Sequence, residues 1–243
     1  MRTSYLLSSM ATALVGLTGS AYAGVLDVTN VQVPYYESVS WTSNTLANGV
    51  STGTGAGIAG EILLTTPAGT YASWCVDLFH TVGIGGSYTY STVPLSVDNS
   101  GANPDLYDSM ANPGGSNPLS ADQQKDIAWL AAGGTAAMNS GPSNDVSAAY
   151  QAAIWTVEYG LTGVTGPDSG FTSEYDALIA DIGAGDGLVG GPGSQLSTPL
   201  SGGLYTAQNL YTSSVPEPST YAMMAMGFAG LGFARHGGRH PRP

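Results

Sequence analysis

Asn144-Asp145-Val146-Ser147-Ala148-Ala149-Tyr150-Gln151-Ala152-Ala153-Ile154-Trp155-Thr156-Val157-Glu158-Tyr159 is the stretch that decides the fold. At about 100° per residue, Val146, Tyr150, Ala153, Ile154 and Val157 form one apolar stripe, while Gln151, Trp155 and Glu158 share the adjacent face. Trp155 also favours burial, so this is a helix that is apolar nearly all round and is enclosed by the rest of its domain. Gly160 is its natural stop. Gln151 then becomes a buried amide, which is costly unless both its ends are hydrogen-bonded.

Working outward, Ser120-Ala121-Asp122-Gln123 reads as an earlier helix start, with Ser120 as cap and an acid in the first turn. Ile127, Leu130 and Ala131 supply its apolar side, and Gly133-Gly134 is the expected stop. A weaker helix is expected over 172–182. The first half reads as strands: 25–33, 38–42, 61–65, 71–79 and 87–92 are β-prone, and 204–210 is a candidate last strand. The Gly/Thr/Ser-rich stretch 48–60 reads as a hairpin loop or turn, and 183–194 as a Gly-rich loop. Together these predict an α+β chain, a β-sandwich or barrel-like framework with inserted helices, plus a separate C-terminal apolar helix.

The ends have their own logic. Met1-Arg2-Thr3-Ser4, an apolar run over 5–17 and Ala21-Tyr22-Ala23 make a secretory signal peptide cut after Ala23, for Sec-type export. At the other end Val215-Pro216-Glu217-Pro218-Ser219-Thr220 precedes an uncharged run over 221–234 and a tail carrying Arg235, Arg239 and Arg242. Fourteen helical residues reach only about 21 Å, against a hydrocarbon core of about 30 Å, so the span is marginal and suited to temporary retention in the inner membrane. The basic end stays cytoplasmic. The expected division is a signal peptide (1–23), a core domain (24–211) and a sorting tail (212–243).

Sixteen of the seventeen acidic residues lie in that core against one cation, Lys125, a net charge of about −15. Nucleic acid is excluded as a partner, because phosphate binding needs clustered Lys and Arg. With one histidine, His80, in the core and no nucleophile-elbow sequence, a Ser/His/Asp hydrolase has no apparatus, and a structural zinc site lacks ligands. Asp98-Asn99-Ser100-Gly101 and the 181–186 segment match no calcium loop and read as solvated turns. No cofactor, metal or enzymatic turnover is expected.

The sole cysteine, Cys75, cannot form an internal disulfide. It lies mid-strand in Tyr71-Ala72-Ser73-Trp74-Cys75-Val76-Asp77-Leu78-Phe79. By itself it reads as a small buried hydrophobe, and Gln151 by itself as a structural amide bridging two loops. Asp77 would share the strand face of Cys75, either to assist proton transfer or as a hydrogen-bonded strand-end acid, with His80 turned away.

Taken together, Trp74-Cys75-Val76-Asp77 and Tyr150-Gln151-Ala152-Ala153-Ile154-Trp155 resemble the two motifs of the thioester domains of bacterial surface adhesins, with the helix around Asp126-Ile127-Ala128-Trp129-Leu130 between them. The second motif fits at every constrained position; Trp74 stands where Tyr, Phe or Leu is usual. The resemblance implies an internal Cys75–Gln151 thioester, walled by Trp74, Asp77 and Trp155. An amine or hydroxyl on a surface polysaccharide or protein would open it, tethering the chain covalently. The rival expectation is a non-covalent structural or glycan-binding matrix protein with an inert Cys75. The tail, from Val215 to Arg242, resembles the PEP-CTERM sorting signal. That resemblance implies handling by an exosortase in a Gram-negative, biofilm-forming cell and delivery to the cell surface or extracellular matrix.

Overall fold

The structure, a computed structural model, describes residues 25–44, 53–76, 78, 81–94, 119–184, 194–197, 200–201, 204–205 and 210–212. The signal segment, the sorting tail beyond Thr212, Asp77, His80 and the 98–101 turn lie outside the described residues. In chain order the strands of the first half are β1 (Val25–Val28), β2 (Asn30–Gln32), β3 (Tyr36–Trp41), β4 (Ser43–Asn44), β5 (Gly55–Gly60), β6 (Ile62–Thr66), β7 (Gly69–Cys75) and β8 (Tyr88–Pro94). Helices α1 (Ala121–Ser140) and α2 (Asn144–Tyr159) follow, then β9 (Leu161–Thr162) and α3 (Ser169–Ala184). Strands β10 (Ser194–Ser197), β11 (Leu200–Ser201), β12 (Leu204–Tyr205) and β13 (Leu210–Thr212) complete the set. The chain is a mixture of helix and sheet, and no helix among the described residues is long and apolar enough to cross a membrane.

Seven strands form the main sheet in the order β1-β8-β10-β13-β7-β6-β2. Its two outermost members, β1 and β2, are one stretch of chain interrupted only by Thr29, whose N–H donates to the Thr65 carbonyl over 2.8 Å. One bent strand therefore pairs with β8 through its first half and with β6 through its second, and the sheet curls back on itself. Such closure removes the exposed edges that would otherwise invite pairing between molecules. Strands from the far end of the chain, β10 and β13, fill the gap between β8 and β7.

Helix α2 matches its sequence reading residue for residue. Ser143 caps it by accepting from the Val146 N–H, and Gly160 ends it in the left-handed conformation, φ 58°, which glycine adopts without strain. Eight of its residues are buried, from Ser147 to Trp155, so it is the enclosed helix its composition predicts. Helix α3 begins at Ser169 rather than 172, because the Asp168 carboxylate accepts from the Gly170 and Phe171 N–H groups and starts the first turn early.

Two expectations are corrected. Gly133-Gly134 does not stop α1, which starts with the Ser120–Gln123 capping box and continues to Ser140. These glycines are the place where α1 meets its neighbours: a Cβ on Gly134 would stand 2.6 Å from the Trp74 ring and 3.0 Å from Tyr150. The Gly-rich stretch is likewise not all loop. Residues 55–60 form β5, paired with β3 along six residues. Glycine is used there because rings lie flat on the strand: a Cβ on Gly55 would collide with the Trp41 indole, and one on Gly57 would touch Trp155 at 3.5 Å. Both departures have one cause, since a bulky aromatic distant in sequence occupies the space a side chain would need.

Candidate functional site

On β7 the ladder to β6 runs only from Thr66 opposite Gly69 to Ile62 opposite Ser73. Two residues further along, the edge of Cys75 turned towards β6 is met by a side chain, while Leu210 of β13 lies opposite Cys75 on the other edge. The Cys75 N–H donates to Gln151 Oε1, and Gln151 Nε2 donates to the Cys75 carbonyl, both over 2.8 Å. A primary carboxamide thus imitates a peptide group and completes the sheet at this point. Gln151 is fully buried and Cys75 nearly so. The amide carries no unmet polar atom, which meets the demand its burial makes.

This clamp is one of a row. Four positions earlier on α2, Ser147 Oγ accepts from the Glu61 N–H (2.7 Å) and donates to the Tyr35 carbonyl (2.8 Å). Eight positions after Gln151, the Tyr159 hydroxyl donates to the Val76 carbonyl and accepts from the Leu78 N–H, at 3.3 and 3.4 Å. Positions 147, 151, 155 and 159 lie on one i+4 ridge of the helix. Three of them satisfy backbone groups of the sheet beyond its regular ladder. The fourth, Trp155, stands edge-on to Trp41, ring centres 6.3 Å apart, and its indole N–H is buried with no hydrogen-bond partner among the described residues. Sequence reasoning reached Gln151 and Trp155 but missed Ser147 and Tyr159. The four-residue spacing outward from Gln151 is the signal that finds them.

Cys75, Gln151 and Trp155 line a single cavity of about 330 Å³, together with Trp41, Ile62, Val82 and others. Trp74, expected as a wall of the same pocket, is not among its lining residues. As the immediate neighbour of Cys75 it faces the other side of the strand. There its indole N–H donates to Thr135 (3.2 Å) and its ring packs on Tyr150. Asp77, the other expected wall, lies outside the described residues.

No described residue lining the cavity is charged. The buried carboxyl nearest in sequence is Glu61, between the lining residues Gly60 and Ile62; burial pushes it up from its ordinary 4.5 to about 7. The site therefore presents a thiol-bearing residue, a carboxamide polarised by a backbone N–H, and an apolar space open beside them. That combination suits acyl chemistry at the Gln151 carbonyl. It equally suits a purely structural bridge.

Residues 214–239 match the PEP-CTERM protein-sorting motif. The motif implies export, transient anchoring in the membrane through the C-terminus, and recognition by the export machinery and an exosortase. No curated protein and no solved structure matches the chain.

Proposed function

We propose that this exported protein attaches covalently to surface or matrix partners through an internal thioester between Cys75 and Gln151. The observation that supports the reading is the paired 2.8 Å hydrogen bonds that hold the Gln151 carboxamide against the peptide unit of the only cysteine, inside a largely apolar cavity. The Cys75 sulfur attacks the Gln151 side-chain carbonyl carbon; the C–S bond forms, the C–N bond breaks, and the thiol proton leaves with the amide nitrogen as ammonia. The Cys75 N–H already points at Oε1 and can stabilise the negative charge that develops there. Proximity supplies much of the drive, and burial slows hydrolysis of the product. An incoming amine or hydroxyl then takes the Gln151 acyl group and returns the proton to sulfur. The event happens once per molecule, so the protein is not an enzyme in the turnover sense. The signal at 1–23, the tail at 212–243 and final residence at the surface or in the extracellular matrix of a biofilm complete the proposal.

The same two hydrogen bonds favour a second reading, a non-covalent structural or glycan-binding matrix protein in which Gln151 only bridges backbone and Cys75 is inert. Intact mass of the processed protein separates the two. Loss of one ammonia, with methylamine added after treatment, is expected; full mass with an alkylatable thiol ends the covalent reading.

A further inference from the structure

Strand β5 has a partner on one edge only: among the described residues it pairs with β3 and with no other strand. The register tells which of its peptide groups are spare. Ser40 of β3 exchanges both its backbone hydrogen bonds with Thr165, at 2.9 and 2.8 Å, so its N–H and C=O point away from β5. Ser40 and Ala56 are therefore a non-hydrogen-bonded pair, and by alternation so are Ser38 with Ile58 and Tyr36 with Gly60. The N–H and C=O groups of Ala56, Ile58 and Gly60 all face the free edge. Exposed edges of this kind are normally blunted by lysine, proline, a bulge or shortness. β5 has six residues, no charge and no proline, and its register with β3 runs unbroken. The whole stretch from Ser38 to Gly60 is uncharged. Three of the four large exposed hydrophobics among the described residues, Tyr36, Ile58 and Ile84, line the cavity that borders this edge, together with Ala56 and Gly60. They are 47%, 64% and 72% exposed. An open, apolar and unprotected edge is a place for a further strand.

We infer that this further strand is β5 of a second copy of the chain, added antiparallel about a twofold axis at Ile58. The outward positions read Ala, Ile, Gly, with the one large residue in the middle, so the edge is complementary to itself. Ile58 faces its own counterpart across the axis, and Ala56 faces Gly60 on either side of it. About six backbone hydrogen bonds form, and two separate β3–β5 pairs become one continuous sheet. The contacting strands bring no carboxylate of their own, which matters for two cores of about −15 that repel each other overall. A pairing of this size falls short of the roughly 1,000 Å² of a lasting interface. It is therefore weak and reversible, with a dissociation constant of about 0.1 mM, and is populated where the protein is crowded. It does not depend on the thioester, and the cavity remains open in the monomer.

The test is sedimentation velocity of the processed protein from exporting cells, from about 1 μM to about 1 mM. A reversible monomer–dimer equilibrium is expected, strengthening as sodium chloride rises from about 0.05 to about 0.5 M and screens the two cores. Ile58→Pro deletes an outward N–H and should weaken the dimer about tenfold or more while the melting temperature holds. Ile58→Asp keeps the backbone intact and sets like charges across the axis, so it should do the same. Val25→Asp adds the same charge at an exposed apolar site on β1 and should weaken it by less than about twofold. Ile58→Cys should give a disulfide-linked dimer on mild oxidation, since facing Cα atoms lie about 5.5 Å apart, and Val25→Cys should not. A protein still monomeric at about 1 mM overturns the pairing and leaves the edge to a strand of some other protein. A dimer that survives Ile58→Asp, or that Ile58→Cys fails to lock, overturns it as well. None of these readouts depends on the ammonia loss that tests the thioester.

Discussion

Gln151 sits where a single substitution has two separable consequences. Removing its amide in Gln151→Ala strands the Cys75 N–H and C=O in the core, each costing about 1–3 kcal/mol. Urea denaturation should show a loss of about 2–5 kcal/mol, and the ammonia-loss signature should vanish. Glu61 offers a pH experiment of its own. Its folded pKa is about 7 against an ordinary 4.5 because burial disfavours the charge. Between those two values the unfolded chain releases a proton that the folded one keeps. Stability contributed by the neutral carboxyl is therefore full below about pH 4.5, declines as pH rises towards about 7 and is gone above it. Glu61→Gln should remove that decline and raise stability at pH 8 by about 1–3 kcal/mol, measured as denaturation midpoints across the range. Sequence alone places Gln151 in the interior, because its neighbours on the helix are apolar. The four-residue spacing from Gln151 puts Ser147 and Tyr159 on the same ridge, but the backbone groups they bind lie far away in sequence and are not written in the helix.

At the scale of elements, Gly134 sets two rules against each other. Helix propensity says Gly134→Ala gains about 1 kcal/mol, but the added methyl enters the Trp74 ring. We expect a net loss of about 1–3 kcal/mol, seen as a lower melting temperature, because the contact is with a fully buried ring that has no space to retreat. The helices were the legible part of this chain. The start at Asn144-Asp145 and the stop at Gly160 are local signals, and α2 obeys them. Gly133-Gly134 and the 55–60 strand were misread for a common reason: their glycines answer to Trp74, Tyr150, Trp41 and Trp155, residues brought close by the fold and invisible to a local reading. The α1 capping box overrides no such conflict, which is why that start was readable and the end was not.

For the molecule as a whole, a core of about −15 repels itself when compact. Raising sodium chloride from low ionic strength to about 0.5 M should increase the melting temperature, since screening shortens the reach of each carboxylate to a few ångströms; an unchanged value would mean the charges are spaced beyond mutual influence. The curling of the sheet was not legible either. No local pattern tells that the chain bends at Thr29 to join both edges, or that strands from opposite ends of the sequence lie side by side. That last arrangement has a mechanical side. Strand β13 ends at Thr212, just before the sorting motif begins at 214, and it pairs with β7 at Leu210 opposite Cys75. For a molecule tethered through Gln151, whose bond to sulfur is by then broken, and held at its C-terminus, tension would run from the Gln151 side chain into α2, across the packing of that helix on β7 and out along β13. Most of the domain would lie off this load path, and the short β7–β13 ladder would be the joint that shears first.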